Sequence, residues 1–185
     1  MKRNLKANSK KNSKVKSSLP FKIIDDIKSD VSFEGYGRDL SELFSSCALA
    51  ISSISYDVNM VPKIKRIRFS LSGMPELLLY DFLSKILFLI DTKEMFFSGF
   101  NVELRLKGLG NKNDFIREDI KDTNSALERE YTLTCECLGA PIASIPKTVS
   151  KVHIKAITMH NLKILKRSSR KAPKKGYTAH ISLDV

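Results

Sequence analysis

The sequence predicts an α+β fold, a largely antiparallel β-sheet or pair of sheets with two main helices packed on one side. Three observations carry this. Two stretches of helical periodicity lie in the first half of the chain, period-two alternation dominates the second half, and most strand-to-strand links are short enough for hairpins.

Taken in order, residues 21–24 read as a short strand after Pro20, and Val31, Phe33 and Tyr36 as another beyond the polar stretch 25–30. Gly35 and Gly37 are expected to bracket a turn. Asp39 followed by Glu42 is a capping-box-like start, and Leu40, Leu43, Phe44, Cys47, Ala48, Ile51 and Ile54 then recur at helical spacing. Ile67, Phe69 and Leu71 alternate as a strand. Pro75 in a first-turn position opens a second helix to about Asp91, apolar on most sides as a helix lying on a sheet must be. A strand is expected over 95–106, a hairpin insertion over 107–130, and four more strands over 131–139, 152–158, 162–165 and 177–185.

At 185 residues, 42% hydrophobic and 28% charged, the chain is long enough for one sizeable core, expected over residues 21–185. Its longest apolar run, 77–90, is interrupted by Asp81, Ser84 and Lys85 and is too short and polar for a bilayer span of about 20 residues. No apolar region follows the basic N-terminus as in a secretory signal. Cys47, Cys135 and Cys137 have no disulfide-framework spacing, so a reducing compartment, cytoplasmic or nuclear, is expected.

Seven of the twelve net positive charges lie in residues 1–20, among them Lys10 and Lys11, without one acid. So little apolar surface cannot offset ordering entropy, and a disordered tail is expected. A second basic cluster runs through Lys163, Lys166, Arg167, Arg170, Lys171, Lys174 and Lys175. Both suit RNA contact by counterion release, and for the tail a nuclear address, a solubilising extension and a transit peptide are the other readings.

No phosphate-binding loop, nucleophile elbow or dinucleotide fingerprint is present, and His153, His160 and His180 stand at no metal-finger spacing. Cys135 and Cys137 alternate as small core residues do. The carboxylates say more. Asp25, Asp26 and Asp30 stand between the first two strands, and the last strand ends with Asp184 beside Val185, whose α-carboxylate a sheet ladder would hold in place. Oxygen ligands at a fixed position are what a hard divalent cation requires. An ordinary solvated turn and an exposed last strand are the plainer readings of the same residues.

Several segments together resemble the archease family, the small protein cofactors of the RtcB-type tRNA-splicing ligase. They are Asp30-Val31 followed by Gly37; Leu40 through Phe44, Cys47, Ala48 and Ala50; Glu76 through Asp81-Phe82-Leu83 and on to Phe96-Phe97; and Lys155-Ala156-Ile157-Thr158 with the closing Leu183-Asp184-Val185. The resemblance spans nearly all of residues 21–185 apart from the insertion.

It implies a divalent cation (Ca²⁺, Mg²⁺ or Mn²⁺) held by Asp30, Asp184 and the α-carboxylate of Val185, and a ligase-stimulating role for Lys155. It also implies a non-catalytic accessory protein that promotes GTP-dependent guanylylation and multiple turnover of its ligase. Contact with RNA would be indirect or through basic residues such as Lys10, Lys11, Arg170 and Lys171, and membranes are not expected partners. Where the family has His-Thr-Ala-Asp, this chain has Ile27-Lys28-Ser29-Asp30, or Asp26 opposite the histidine if one residue is inserted; either way the histidine is gone, and its ligand or orienting role is lost or has passed to Asp26. Phe82 stands where the family often has Trp. The competing expectation is a basic RNA-binding module or RNA chaperone without ligase stimulation.

Overall fold

The computed structural model describes residues 19–27, 30–107, 126–167 and 176–185, with the side chains of 25–27 outside that description. The expected tail, most of the expected insertion, and Lys10, Lys11, Arg170 and Lys171 lie outside the described residues.

Strands β1 (Phe21–Ile27) and β2 (Asp30–Gly37) precede helix α1 (Leu40–Ser55). Strand β3 (Lys65–Gly73), helix α2 (Pro75–Lys93) and strands β4 (Met95–Leu106), β5 (Tyr131–Pro141), β6 (Ala156–Arg167) and β7 (Gly176–Asp184) follow. Among the described residues the strands form two sheets, ordered β1-β2-β7-β6 and β3-β5-β4, and their pairings are antiparallel throughout. The α+β expectation stands, with one refinement. Each sheet carries the helices on one face, so the helical layer is covered by a sheet on both sides: α1 packs on β2 and β4, and α2 on β6 and β3.

This arrangement explains why α1 is covered nearly all round, with Leu43, Phe44, Cys47, Ala48, Ala50 and Ile51 fully buried. Its serines make the polar joints to the two sheets. Ser46 donates to the Tyr36 carbonyl of β2 at 2.7 Å, whereas Ser45 donates to the Phe100 carbonyl of β4 at 2.8 Å and Ser41 accepts from the Leu104 N–H at 3.0 Å. The buried Ser46 hydroxyl is thereby paired, and the backbone of edge strand β4 is partly covered. The N-terminus is capped as the sequence indicates, Asp39 accepting from the Glu42 N–H at 2.8 Å while Glu42 accepts from the Arg38 N–H at 2.7 Å.

Two expectations are corrected. Gly35 and Gly37 do not bracket a turn but lie within β2, where α1 passes so close that a Cβ on Gly35 would strike the Cys47 sulfur and one on Gly37 the Leu43 backbone. The two strands expected over 152–158 and 162–165 are one strand, β6, whose pairing with β7 shifts between Thr158 and Lys163, with Asn161 at φ 59°. An irregularity of this kind interrupts side-chain alternation without ending the strand.

Cys135 and Cys137 are core residues as expected, buried on one face of β5 with their sulfurs 3.6 Å apart. That hydrogen bond, together with burial, pushes the Cys137 thiol well above its ordinary value, and burial alone does the same to Cys47. Since the thiolate is the reactive form, the folded protein is expected to react with no more than a trace of Ellman's reagent at pH 8 and to release three thiols in denaturant. Rapid stoichiometric labelling of the native protein would contradict this packing.

Candidate functional site

The four-stranded sheet turns one face to the helices and the other to solvent. On the inner face of one end, Val31, Leu183 and Ile157 are buried and in register across β2, β7 and β6. Because side chains alternate along a strand, the next row outward along β2, β7 and β6 faces solvent. It consists of Asp30, Asp184 and Ala156, paired in that order, and on β1 the backbone partner of Asp30 is Ile27. Asp30 is therefore directly opposite Asp184. Cβ atoms of such pairs lie about 5 Å apart, and like charges placed there repel.

The neighbouring row on the outer face is polar as well, with Ser32 and Ser182 hydroxyls 3.1 Å apart. The acidic pair is open to water, and the Asp184 side chain is 48% exposed.

Lys155 enters just ahead of β6. Its N–H donates to the Asp184 carbonyl at 2.8 Å, which fixes its backbone beside the end of β7. The side chain then turns back, so that Nζ donates to the Val185 main-chain oxygen at 2.8 Å and stands 3.9 Å from Asp184 Oδ1. The Val185 side chain packs against the core, anchoring the residue that supplies that oxygen.

The structure thus brings Asp30, Asp184, Val185 and Lys155 to one end of one sheet. Asp26 pairs with Val31, one row away from Asp30, and its side chain lies outside the described residues. Among the described residues no three His, Cys, Asp or Glu side chains gather as a metal cage. The donors available at this end are two aspartates and main-chain oxygen, an all-oxygen set suited to a hard divalent cation rather than zinc. An ammonium resting on two of those oxygens, one closely and one at the limit of an ion pair, marks the place as one that holds positive charge.

Sequence reasoning misses the Lys155 contact with Val185. Its only trace in sequence is a lysine just before an apolar alternation. The described part of the basic cluster lies at the other end of the sheet, where Arg167 pairs with Gly176 and its guanidinium sits 5.1 Å over the Tyr36 ring. Burial, then the hydrogen bond to Glu34, raises the Tyr36 phenol to about 12. The span from Asp30 to Gly37 along β2 is roughly 23 Å at strand rise.

The Archease protein family model matches residues 21–185. The chain belongs to the archease family. It is similar to the protein archease of Methanothermobacter thermautotrophicus, 34% identical over 112 residues that cover 59% of this chain and 80% of that protein. It is also similar to the protein archease of Methanosarcina barkeri, 29% identical over 163 residues covering 86% of this chain and 92% of the relative. The solution structure of a Methanobacterium thermoautotrophicum protein shares the fold, with TM-score 0.62 at 24% identity over 91% of this chain and 100% of that one. The family match begins where β1 begins, so the basic residues 1–20 lie outside the matched part. Among the described residues, no helix of this archease-family chain is long and apolar enough to cross a membrane.

Proposed function

We propose that this protein is a non-catalytic activator of an RtcB-type RNA ligase in tRNA splicing, acting in the cytoplasm or nucleus through a divalent cation held at the Asp30–Asp184 end of the sheet. The observation that carries this reading is the direct cross-strand pairing of the two aspartates. A fold gains nothing from opposing like charges at a sheet end, whereas a cation shared between them converts repulsion into coordination. The α-carboxylate of Val185 serves as the third anionic ligand, and Ca²⁺, Mg²⁺ and Mn²⁺ all suit the donor set. A divalent cation held by these oxygens would offset the repulsion between the carboxylates.

The chain's own residues do the rest. Hydrogen bonding from the Lys155 N–H holds the end of β7 beside the start of β6, and burial of Leu183 and Val31 keeps Asp184 and Asp30 on the outer face. Family membership supports promotion of GTP-dependent guanylylation and of multiple turnover, the ligation chemistry staying with the ligase. RNA contact is assigned to the basic segments, the described part of which lies at the opposite end of the sheet from the acidic row.

The deciding experiment is multiple-turnover joining of RNA 2′,3′-cyclic phosphate and 5′-hydroxyl ends by the host's ligase, with and without this protein and divalent metal. Turnover should rise only when both are present. A ligase indifferent to the protein, together with salt-sensitive RNA binding unaffected by EDTA, would favour the RNA-binding alternative. Calcium titration separates the candidate ligands. Asp30→Asn is expected to weaken Ca²⁺ binding at least tenfold, while Asp26→Asn, one row away, leaves it within about twofold. Equal losses from both would put Asp26 in the coordination shell.

A further inference from the structure

We propose that Lys155 is the counter-ion of the acidic site when no metal is bound, and that a divalent cation displaces its ammonium from the Asp184 and Val185 oxygens. This inference rests on the cation-site reading above. It goes beyond it by assigning the lysine a position that depends on occupancy.

The geometry supplies the argument. Nζ is 2.8 Å from the Val185 oxygen and 3.9 Å from Asp184 Oδ1, so the ammonium already occupies space beside two of the oxygens that the cation would use. Those oxygens would ligate the metal at about 2.0–2.6 Å. A lysine ammonium held in the same place would lie within ~4 Å of a doubly charged ion, where repulsion is substantial even at surface dielectric.

The two cations therefore compete for one set of oxygens. The backbone of Lys155 has no freedom to leave, because its N–H is bonded to the Asp184 carbonyl. Its side chain does, being 62% exposed on a flexible four-carbon stem. Displacement is thus a swing of the side chain over a fixed backbone. Without metal, the two aspartates and the terminal carboxylate carry three negative charges against one ammonium. With a divalent ion in place, two of those three charges are met by the metal, so the pull that holds the ammonium on these oxygens falls from three charges to one and the side chain can swing outward.

Competition fixes the sign of a measurable effect. Isothermal titration of the full chain with Ca²⁺ is expected to show Lys155→Met binding roughly tenfold more tightly than wild type, since the competitor is gone. Lys155→Arg, which keeps the charge, should stay within about threefold. Lys163→Met, on the same sheet but opposite His180 and so well back from the end of β7, should change affinity less than twofold. In protein with ¹³C-dimethylated lysines, one resonance should move on Ca²⁺ addition, and it should be the one missing from Lys155→Met.

Wild type binding Ca²⁺ while Lys155→Met binds it equally or more weakly would overturn the counter-ion role and leave the cation site standing. Tightening by Lys163→Met to the same degree would reduce the effect to general charge and overturn it too. Absence of Ca²⁺ binding in wild type and Lys155→Met alike would overturn the cation site itself, and this inference with it.

Discussion

Asp184→Ala is expected to abolish stimulation of the ligase while leaving the protein folded. The carboxylate is removed from the outer row, where it is half exposed and meets the Lys155 ammonium only at 3.9 Å. Exposed ion pairs of this kind contribute about 0–1 kcal/mol, so the melting temperature should move by only a few degrees at most. The effect on the proposed function is of another size. With one of two side-chain ligands gone, the site retains Asp30 and the terminal carboxylate, too few anionic oxygens for a tightly held divalent ion. Multiple-turnover ligation should fall to the level of the ligase alone, roughly a hundredfold loss of stimulation if binding at the site supplies about 3 kcal/mol. Appending one residue after Val185 should act in the same direction, by moving the terminal carboxylate off the sheet end. Full stimulation by both variants would remove this end of the sheet from the mechanism.

Phe82→Ala is expected to do the reverse, damaging the fold without touching the acidic row. Phe82 is fully buried on α2, its ring 5.7 Å from that of Phe44 on α1 and 6.1 Å from that of Phe69 on β3. It therefore joins both helices to the three-stranded sheet. Truncating such a ring costs about 3–5 kcal/mol, the lost transfer energy adding to the cavity left behind. For a chain of this size each kcal/mol corresponds to roughly 2–4 °C, so the melting temperature should fall by about 10 °C. Calorimetry or thermal circular dichroism reads this directly. A drop below ~2 °C would mean that the three-ring cluster is not a structural joint.

Local chemistry makes much of the fold legible in the chain itself. The capped start at Asp39, the proline opening of α2 and the alternation in β4, β5 and β7 are short-range signals, and each element follows within a few residues of its expected bounds. The departures share a cause. Gly35 and Gly37 resemble turn glycines because a turn and a close helix approach both demand a missing Cβ, and only the packing of α1 on β2 distinguishes them. Strand β6 reads as two because its pairing shift breaks the alternation that defines a strand. Asp25 to Ile27 belong to β1 and not to a polar loop, since pairing with β2 outweighs the weak strand preference of aspartate.

The elements, the family resemblance and the identity of the acidic residues are all readable from the chain, because they depend on neighbours a few positions apart. That Asp30 faces Asp184, and that Lys155 leans on Val185, are not. Those facts belong to the pairing of β2 with β7 and of β7 with β6, the same pairing that sets Ser32 against Ser182 across 150 positions. Register between distant strands follows from which faces the core can bury: Val31 and Leu183 must point inward, and alternation then leaves both aspartates on the outer face.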